Sequence, residues 1–215
     1  MKILSFNIRE IYRDLGTTEY NWKFRMKAMN NMLKDINPDI ICFQEMTFPA
    51  NLFIPKGYKR VGLSVSHPIY IRKEFKYSKH KFRIHEESAL ITINENFSFT
   101  IINIHSHWNK KTLNNTIKYI KSFENTPYIA CGDFNNTASE INDYSLSYEN
   151  NIRVVGNYPE KDTFINFTKP EESHGEIDHF YSNFVLDTSF SYKIIEDTYS
   201  SLTRISDHYP ILLEF

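Results

Sequence analysis

The feature that most constrains the fold is a recurring pattern in which a short apolar run ends abruptly on a polar side chain. "KILSFN" ends on Asn7, "DIICFQE" on Glu45, "FTIINIH" on His105, and "YIACGDFN" on Asp133 and Asn135. Runs of this length and composition are typical of buried β-strands. Because alternate side chains of a strand share a face, Asp133 and Asn135 are expected to point into one space beyond the strand end. An ordinary strand-to-turn exit is the alternative for that run taken alone.

Two amphipathic helices are predicted among these runs. The first covers residues 21–38 and has Asn21 as its N-cap, Pro38 at its exit and apolar side chains at helical spacing, namely Trp22, Met26, Met29, Leu33 and Ile36. The second covers residues 112–123. Further strands are predicted over 59–65, 68–73, 88–93, 162–167, 177–182 and 191–197. Many strands with only two sizeable helices favour an α+β fold, a four-layer sandwich of two packed mixed β-sheets flanked by helices.

Length and composition point to one globular unit. The 215 residues fit a single domain over 1–215, and 41% hydrophobic residues are sufficient for a core. Cys42 and Cys131 lie inside apolar runs, so they are expected to be buried free thiols. No membrane-spanning run or signal peptide is recognisable, and a monomeric cytoplasmic protein is expected. The net charge of −1 excludes any argument from overall basicity.

The strand-end residues form a set with a common chemistry. Asp178 begins another predicted strand, and Asp207 and His208 directly precede the last one. Carboxylate and amide oxygens suit a hard cation such as Mg²⁺, Mn²⁺ or Ca²⁺. His105 and His107 also form a His-x-His pair that can ligate a transition metal, but the further spaced Asp and His residues of zinc phosphoesterases are missing.

In this order, "SFN", "FQE", "NIH", "GDFN", "ID" and "SDH" resemble the motifs of the endonuclease/exonuclease/phosphatase superfamily, whose fold is called DNase I-like. The resemblance extends from Asn7 to His208 and is strongest with the small bacterial-type metal-dependent hydrolases. "NIHSHW" stands where abasic-site endonucleases usually carry Tyr-x-Pro-Asn, so abasic-site incision is disfavoured.

The resemblance implies a role for each residue of the set. Three residues are implied as ligands of Mg²⁺, for which Mn²⁺ can substitute: Asn7, Glu45 and Asp207. The implied catalytic residues are His105, Asp133, Asn135, Asp178 and His208. Asp133 activates the attacking water, Asn135 and His105 donate to the phosphate, and His208 donates to a non-bridging oxygen while Asp178 fixes its tautomer. Arg9, His107 and Trp108 are expected to bind substrate, and the last two are alternatively plain loop residues.

The expected reaction is hydrolysis of a phosphoester in DNA or RNA, including the processing of strand ends. A phosphatase for a small soluble phosphoester, such as a sugar or inositol phosphate, is the alternative, and an inactive binding module is the third. Residues 56–83 contain nine Lys or Arg against one acid, Glu74. This stretch either follows a phosphate backbone or protects an edge strand from pairing. His67, His80, His85 and His174 are expected to be surface residues without function.

Overall fold

The computed structural model describes residues 1–14, 21–62, 64–95, 97–142, 152–153, 161–165, 175–184, 190–196 and 205–215. Its strands form two six-stranded sheets. The first contains, in spatial order, β11 (Ser191–Ile194), β12 (Ile211–Glu214), β1 (Lys2–Asn7), β2 (Ile40–Gln44), β4 (Ile69–Arg72) and β3 (Tyr58–Val61). The second contains β5 (Lys76–Phe82), β6 (Glu86–Asn94), β7 (Phe97–His105), β8 (Tyr128–Asp133), β10 (Asp178–Ser182) and β9 (Ile152–Arg153).

Both sheets are mixed, and their parallel pairs determine where the polar strand ends meet. β1 and β2 are parallel, with Asn7 opposite Gln44. β7 and β8 are also parallel, with His105 opposite Asp133. β10 runs antiparallel to β8 and starts there, with Asp178 opposite Asp133. In each sheet, the polar residues at these strand ends therefore lie side by side at the same end of the strands.

Three apolar clusters fill the spaces between the layers. The cluster between the sheets takes Ile3 and Ile40 from the first sheet and Ile101 and Phe180 from the second, all fully buried. Helix α1 (Trp22–Ile36) packs on the outer face of the first sheet, and α2 (Lys110–Lys121) on that of the second. A short α3 (Ala138–Asn142) follows β8, and single 3₁₀ turns cover Ile11–Asp14 and Ala50–Leu52. This is the predicted arrangement of two sheets flanked by helices.

Helix α1 begins as its sequence predicts, but its buried face differs. The Asn21 side chain accepts a hydrogen bond from the Lys23 N–H at 3.0 Å, which confirms the predicted N-cap. The buried face consists of Arg25, Ala28, Met29, Met32, Leu33 and Ile36. Met26 of the predicted stripe is only half-buried, whereas the charged Arg25 is completely buried. Arg25 is tolerated there because its guanidinium donates to the backbone carbonyls of Ile8, Arg9 and Ile205.

Two features differ from the sequence-based expectations: strand β5 was not predicted, and His67 was expected at the surface but is buried. β5 lies at the edge of the second sheet, and nearly all of its residues are exposed. An edge strand with lysines on it was one of the two explanations of the basic stretch. His67 is 1% exposed and therefore not a surface residue, and its ring stacks on that of Phe82 with the ring centroids 5.6 Å apart. The strand predicted over 162–167 is not formed in its described part, residues 162–165, where Phe164 makes only an isolated β-bridge with His208. Residues 166 and 167 lie outside the described residues, as does His174.

None of the helices in the described part of the chain has both the length and the hydropathy needed to cross a bilayer.

Candidate active site

Strand ends from both sheets meet at one rim of the sandwich, and Asn7 joins them. Its Nδ2 donates to Glu45 Oε1 of the first sheet's edge at 3.1 Å and to Asp133 Oδ2 of the second at 2.9 Å. The Glu45 carboxylate is held from its other side, because Oε2 accepts a hydrogen bond from the Glu10 N–H at 2.8 Å. The predicted proximity of residues far apart in sequence is therefore present.

Asp133 is the centre of this arrangement. Besides Asn7, its Oδ2 accepts from Asn135 Nδ2 at 3.1 Å and lies 3.8 Å from His208 Nε2 and 3.9 Å from His105 Nε2. Its Oδ1 accepts from the Asn135 N–H at 2.8 Å. Asp133 is 1% exposed, and this burial raises its pKa to about 7, although the positive charge of His208 acts in the opposite direction.

The backbone around the site adopts conformations that only particular residues accept easily. Gly132 has a φ of 140°, and a Cβ on it would lie 2.0 Å from the Ile104 carbonyl oxygen of the neighbouring strand. Glycine therefore allows β7 and β8 to approach closely beside His105 and Asp133. Glu45 and Asn135 have left-handed φ values of 57° and 51°. Non-glycine residues in this region cluster at functional sites.

The His208 imidazole is oriented by Asp178. Its Nδ1 is 2.9 Å from Asp178 Oδ2, so Nε2 faces Asp133. The start of β10 is fixed by Thr163, whose Oγ1 accepts from the N–H groups of Ile177 and Asp178 at 3.0 Å. Burial alone would lower the pKa of His208, but the carboxylates of Asp178 and Asp133 outweigh it and raise the pKa to about 10. The His208 side chain is accordingly protonated at neutral pH.

One group of side chains at this rim could hold a metal ion. A ligating atom from each of Glu45, His105 and Asp133 lies within 4.8 Å of the other two. Two carboxylates this close repel each other unless a proton or a cation lies between them, and their oxygens suit a hard divalent cation. Burial, together with nearby histidines, lowers the pKa of His105, so its imidazole is in the neutral form. The residues present thus fit a divalent ion. Asp133, Asp178 and His208 form a second group with the same spacing.

Asp207 and Arg9 are engaged with each other. The Arg9 guanidinium forms an ion pair with Asp207 Oδ2, and Ser206 donates to Asp207 Oδ1 at 3.2 Å. Ser206 also donates to the Asn7 carbonyl oxygen at 2.8 Å, which ties this loop to β1. Asp207 lines the site, but it is not in the group formed by Glu45, His105 and Asp133. A metal-ligating Asp207 would have to exchange Arg9 for the ion.

A cleft of about 290 Å³ opens onto this set of residues. It is lined by predicted site residues, including His107 and Trp108, and by four residues that the sequence reasoning missed: Glu10, Tyr12, Arg13 and Phe164. Phe164 packs edge-on against the His208 ring at 5.0 Å. Arg13 donates through Nε to Glu10 at 3.2 Å. The position of Glu10, Tyr12 and Arg13 directly after the first strand end was a usable signal, whereas nothing in the sequence connects Phe164 with His208.

Two further histidines have different environments. His179 is buried, and its Nε2 is 2.9 Å from the Asn136 carbonyl oxygen, so its ring ties the start of β10 to the loop after β8. His85 is at the rim, where its ring packs against that of His107 at 4.6 Å and its Nδ1 is 3.2 Å from the His105 carbonyl oxygen.

Comparison with known proteins assigns the family. The model of the endonuclease/exonuclease/phosphatase family matches residues 4–208. The chain belongs to this family. The endonucleases, exonucleases and phosphatases that give the family its name all hydrolyse phosphoester bonds. Phosphoester hydrolysis is therefore the reaction class of the chain. No curated protein matches the sequence.

Solved structures of other family members share the fold over the whole chain. A Bacteroides thetaiotaomicron endonuclease/exonuclease/phosphatase family protein is 20% identical, with a TM-score of 0.80 over 99% of this chain and 96% of that one. A mannosyl-6-phosphatase from the same species is 21% identical, with a TM-score of 0.77 over 100% and 98%. Danio rerio TDP2, solved with a single-strand DNA product, is 14% identical, with a TM-score of 0.74 over 99% and 97%. At these identities the likeness establishes the DNase I-like fold.

Proposed function

We propose that this family member is a Mg²⁺-dependent phosphodiesterase that cleaves DNA or RNA, including strand ends, by attack of water on phosphorus. The observation that carries the proposal is the position of Asp133 Oδ2, which lies within 4 Å of an amide nitrogen of Asn7 and a ring nitrogen of each of His105 and His208. These groups come from different strands and face one cleft. A buried carboxylate beside neutral and cationic donors is suited to general-base chemistry on an anionic substrate.

Each residue receives a role that follows from its contacts. Asp133 orients the attacking water and takes its proton, while Asn7 and Asn135 hold its carboxylate in place. His208, protonated and oriented by Asp178, donates from Nε2 to a non-bridging phosphate oxygen. His105 supplies a second donor to the phosphate.

The metal would be held chiefly by Glu45, next to the Asp133 carboxylate, with Asn7 beside them. When bound, Mg²⁺ neutralises phosphate charge and stabilises the leaving oxygen. Asn7 now presents Nδ2 to both carboxylates and accepts the Arg9 N–H on Oδ1 at 2.9 Å, so it serves as a ligand only after its amide turns. Asp207 and Arg9 are proposed to separate when substrate binds, which leaves Arg9 to contact the phosphate and Asp207 to join the ion.

The test is turnover of labelled single- and double-stranded DNA, RNA, 5′-tyrosyl ends and sugar phosphates. Hydrolysis of an oligonucleotide should require Mg²⁺ or Mn²⁺ and stop in EDTA. Asp133→Asn should lower kcat by about 10²–10⁴-fold, the usual contribution of a general base. Asp39→Asn is the matched control, because Asp39 precedes β2 at the end remote from the site and pairs with Arg72. Asp133→Asn with wild-type turnover would contradict the assignment of the base.

A small phosphoester is the second candidate substrate, and two observations favour it. One relative with the same fold is a mannosyl-6-phosphatase. A cleft of about 290 Å³ is also large enough for a single sugar phosphate. Phosphate release from sugar or inositol phosphates, with no oligonucleotide cleavage, would support this candidate. A protein that turns over nothing with any divalent ion would be an inactive binding module.

A further inference from the structure

The second sheet and the helix that covers it carry a concentration of positive charge outside the cleft. β5, the following Arg83 and α2 contain eight Lys or Arg and no acidic residue, although the net charge of the chain is −1. We call these eight residues the basic face: Lys76, Lys79, Lys81, Arg83, Lys110, Lys111, Lys118 and Lys121.

Side-chain contacts join the two elements into one surface. The Arg83 guanidinium lies over the Tyr119 ring of α2 at 4.7 Å, and Lys81 Nζ lies over the Phe123 ring just beyond α2 at 5.3 Å. Below them, the hydroxyls of Tyr119 and Ser88 are 2.7 Å apart. Cation–π contacts of this kind hold the charged groups against the helix without neutralising them.

The charges of the basic face have no ion-pair partners among the described residues, although the buried Glu86 carboxylate accepts a hydrogen bond from Thr116 beneath α2. Elsewhere Lys2, Arg13, Arg72 and Lys161 have carboxylate partners. Within the part of the chain that the structure describes, no carboxylate forms an ion pair with any member of the basic face. Lys110 and Lys111 also occupy the first turn of α2, where the helix dipole disfavours cations. Clustered positive charges repel one another and destabilise the fold, and a bound polyanion would offset this repulsion.

Both elements of the basic face lead away from the cleft. α2 begins two residues after Trp108, which lines the cleft. On the other side, Arg83 is two residues before His85, whose ring contacts that of the cleft residue His107. An anionic chain that leaves the cleft therefore reaches the basic face directly.

We propose that the basic face binds the backbone of a single-stranded nucleic acid that continues beyond the cleft. This inference rests on the proposed function for the identity of the chain in the cleft. Phosphates would contact the cations, and an unpaired base would stack on the ring of Trp108, which is 56% exposed where the cleft meets the start of α2. Exposed rings favour a single strand, because a duplex keeps the faces of its bases stacked within itself. The seven residues of β5 span about 23 Å, enough for several nucleotides.

The test measures binding and turnover separately. Fluorescence anisotropy with a labelled single-stranded oligodeoxynucleotide in EDTA reports binding without cleavage. The variant Lys81→Glu/Arg83→Glu/Lys118→Glu should bind at least about tenfold more weakly, and its slope of log K against log salt should be smaller by about 2, since each lost phosphate contact contributes about 0.7. The matched control, Lys23→Glu/Lys27→Glu/Lys34→Glu, makes the same charge change on the exposed surface of α1 and should bind far closer to wild type.

Arg83 packs on the buried Tyr119, so the Arg83→Glu change also removes a packing contact. A second variant without this change separates the effect of charge from that of misfolding. Lys111→Glu/Lys118→Glu changes only exposed side chains of α2 and should weaken binding by a smaller factor in the same direction. Binding that is equal in wild type and both face variants would overturn the proposal. Tighter binding of duplex DNA or of anionic phospholipid vesicles than of the single strand would refute the assigned partner. An oligonucleotide that binds to the basic face but is never cleaved would support the face and refute the proposed function.

Discussion

The buried His67 ring makes stability depend on pH in a direction that can be calculated. It is 1% exposed, its Nδ1 is 2.9 Å from Ser66 Oγ, and it stacks on Phe82. Burial lowers its pKa to about 4, from about 6.5 in an unfolded chain. Because the unfolded state binds the proton more tightly, the contribution of neutral His67 to stability is complete above about pH 6.5 and is lost as the pH falls towards 4.

From these pKa values, protonation of His67 should destabilise the fold by about 2 kcal/mol at pH 5 and by about 3 kcal/mol below pH 4. Urea unfolding of wild type and His67→Asn near pH 7.5 and near pH 5 measures this. The variant loses packing at both pH values. The titration of His67 is therefore measured by how much more the free energy of unfolding falls between the two pH values in wild type than in the variant. We expect wild type to lose about 2 kcal/mol more than His67→Asn over this interval. Equal losses would refute the reasoning, and His107→Asn, at an exposed position, should behave as wild type.

Three other substitutions test separate parts of the structure. Asp178→Asn removes the charge that orients His208, so kcat should fall about 10²-fold. The unfolding temperature should fall as well, because the buried His208 imidazolium loses its partner. Wild-type turnover would show that the pair is dispensable for catalysis. Gly132→Ala places a Cβ 2.0 Å from the Ile104 carbonyl oxygen, so urea unfolding should show a loss of about 3 kcal/mol; a loss below 1 kcal/mol would mean that β7 and β8 separate easily. Asn103→Ala removes the donors to the carbonyls of Phe43 and His67 at 2.8 and 2.9 Å, so the free energy of unfolding should fall by about 3 kcal/mol. Asn30→Ala, at an exposed position of α1, is the control and should lower it by less than about 1 kcal/mol.

Much of the site could be predicted because its residues follow apolar strands. A buried strand that ends on Glu45 or Asp133 gives a sequence signal of its own, and parallel pairing then brings such ends together. The contact of His208 with Asp178 was implied by the family resemblance and is present at 2.9 Å. The roles of these residues in catalysis remain predictions.

Other features carry no local signal. β5 is exposed on both faces, so it lacks the alternation by which a half-buried strand is recognised. Arg25 is buried because backbone carbonyls of two distant loops accept hydrogen bonds from its guanidinium. The helical periodicity of its own segment contains no information about these loops. The pairing of Arg9 with Asp207 joins residues at opposite ends of the chain, and it changes the interpretation of both side chains. Such contacts depend on loop conformations that strand patterns leave undetermined.

The position of a bound divalent ion tests the account most directly. Crystals soaked in Mn²⁺ and measured at the manganese absorption edge would locate the ion by its anomalous scattering. We predict an ion bound by the Glu45 carboxylate beside Asp133, and its loss in Glu45→Gln crystals. An ion bound elsewhere, or no ion at this rim at saturating Mn²⁺, would contradict the proposal that these strand ends form a metal-dependent phosphoesterase site.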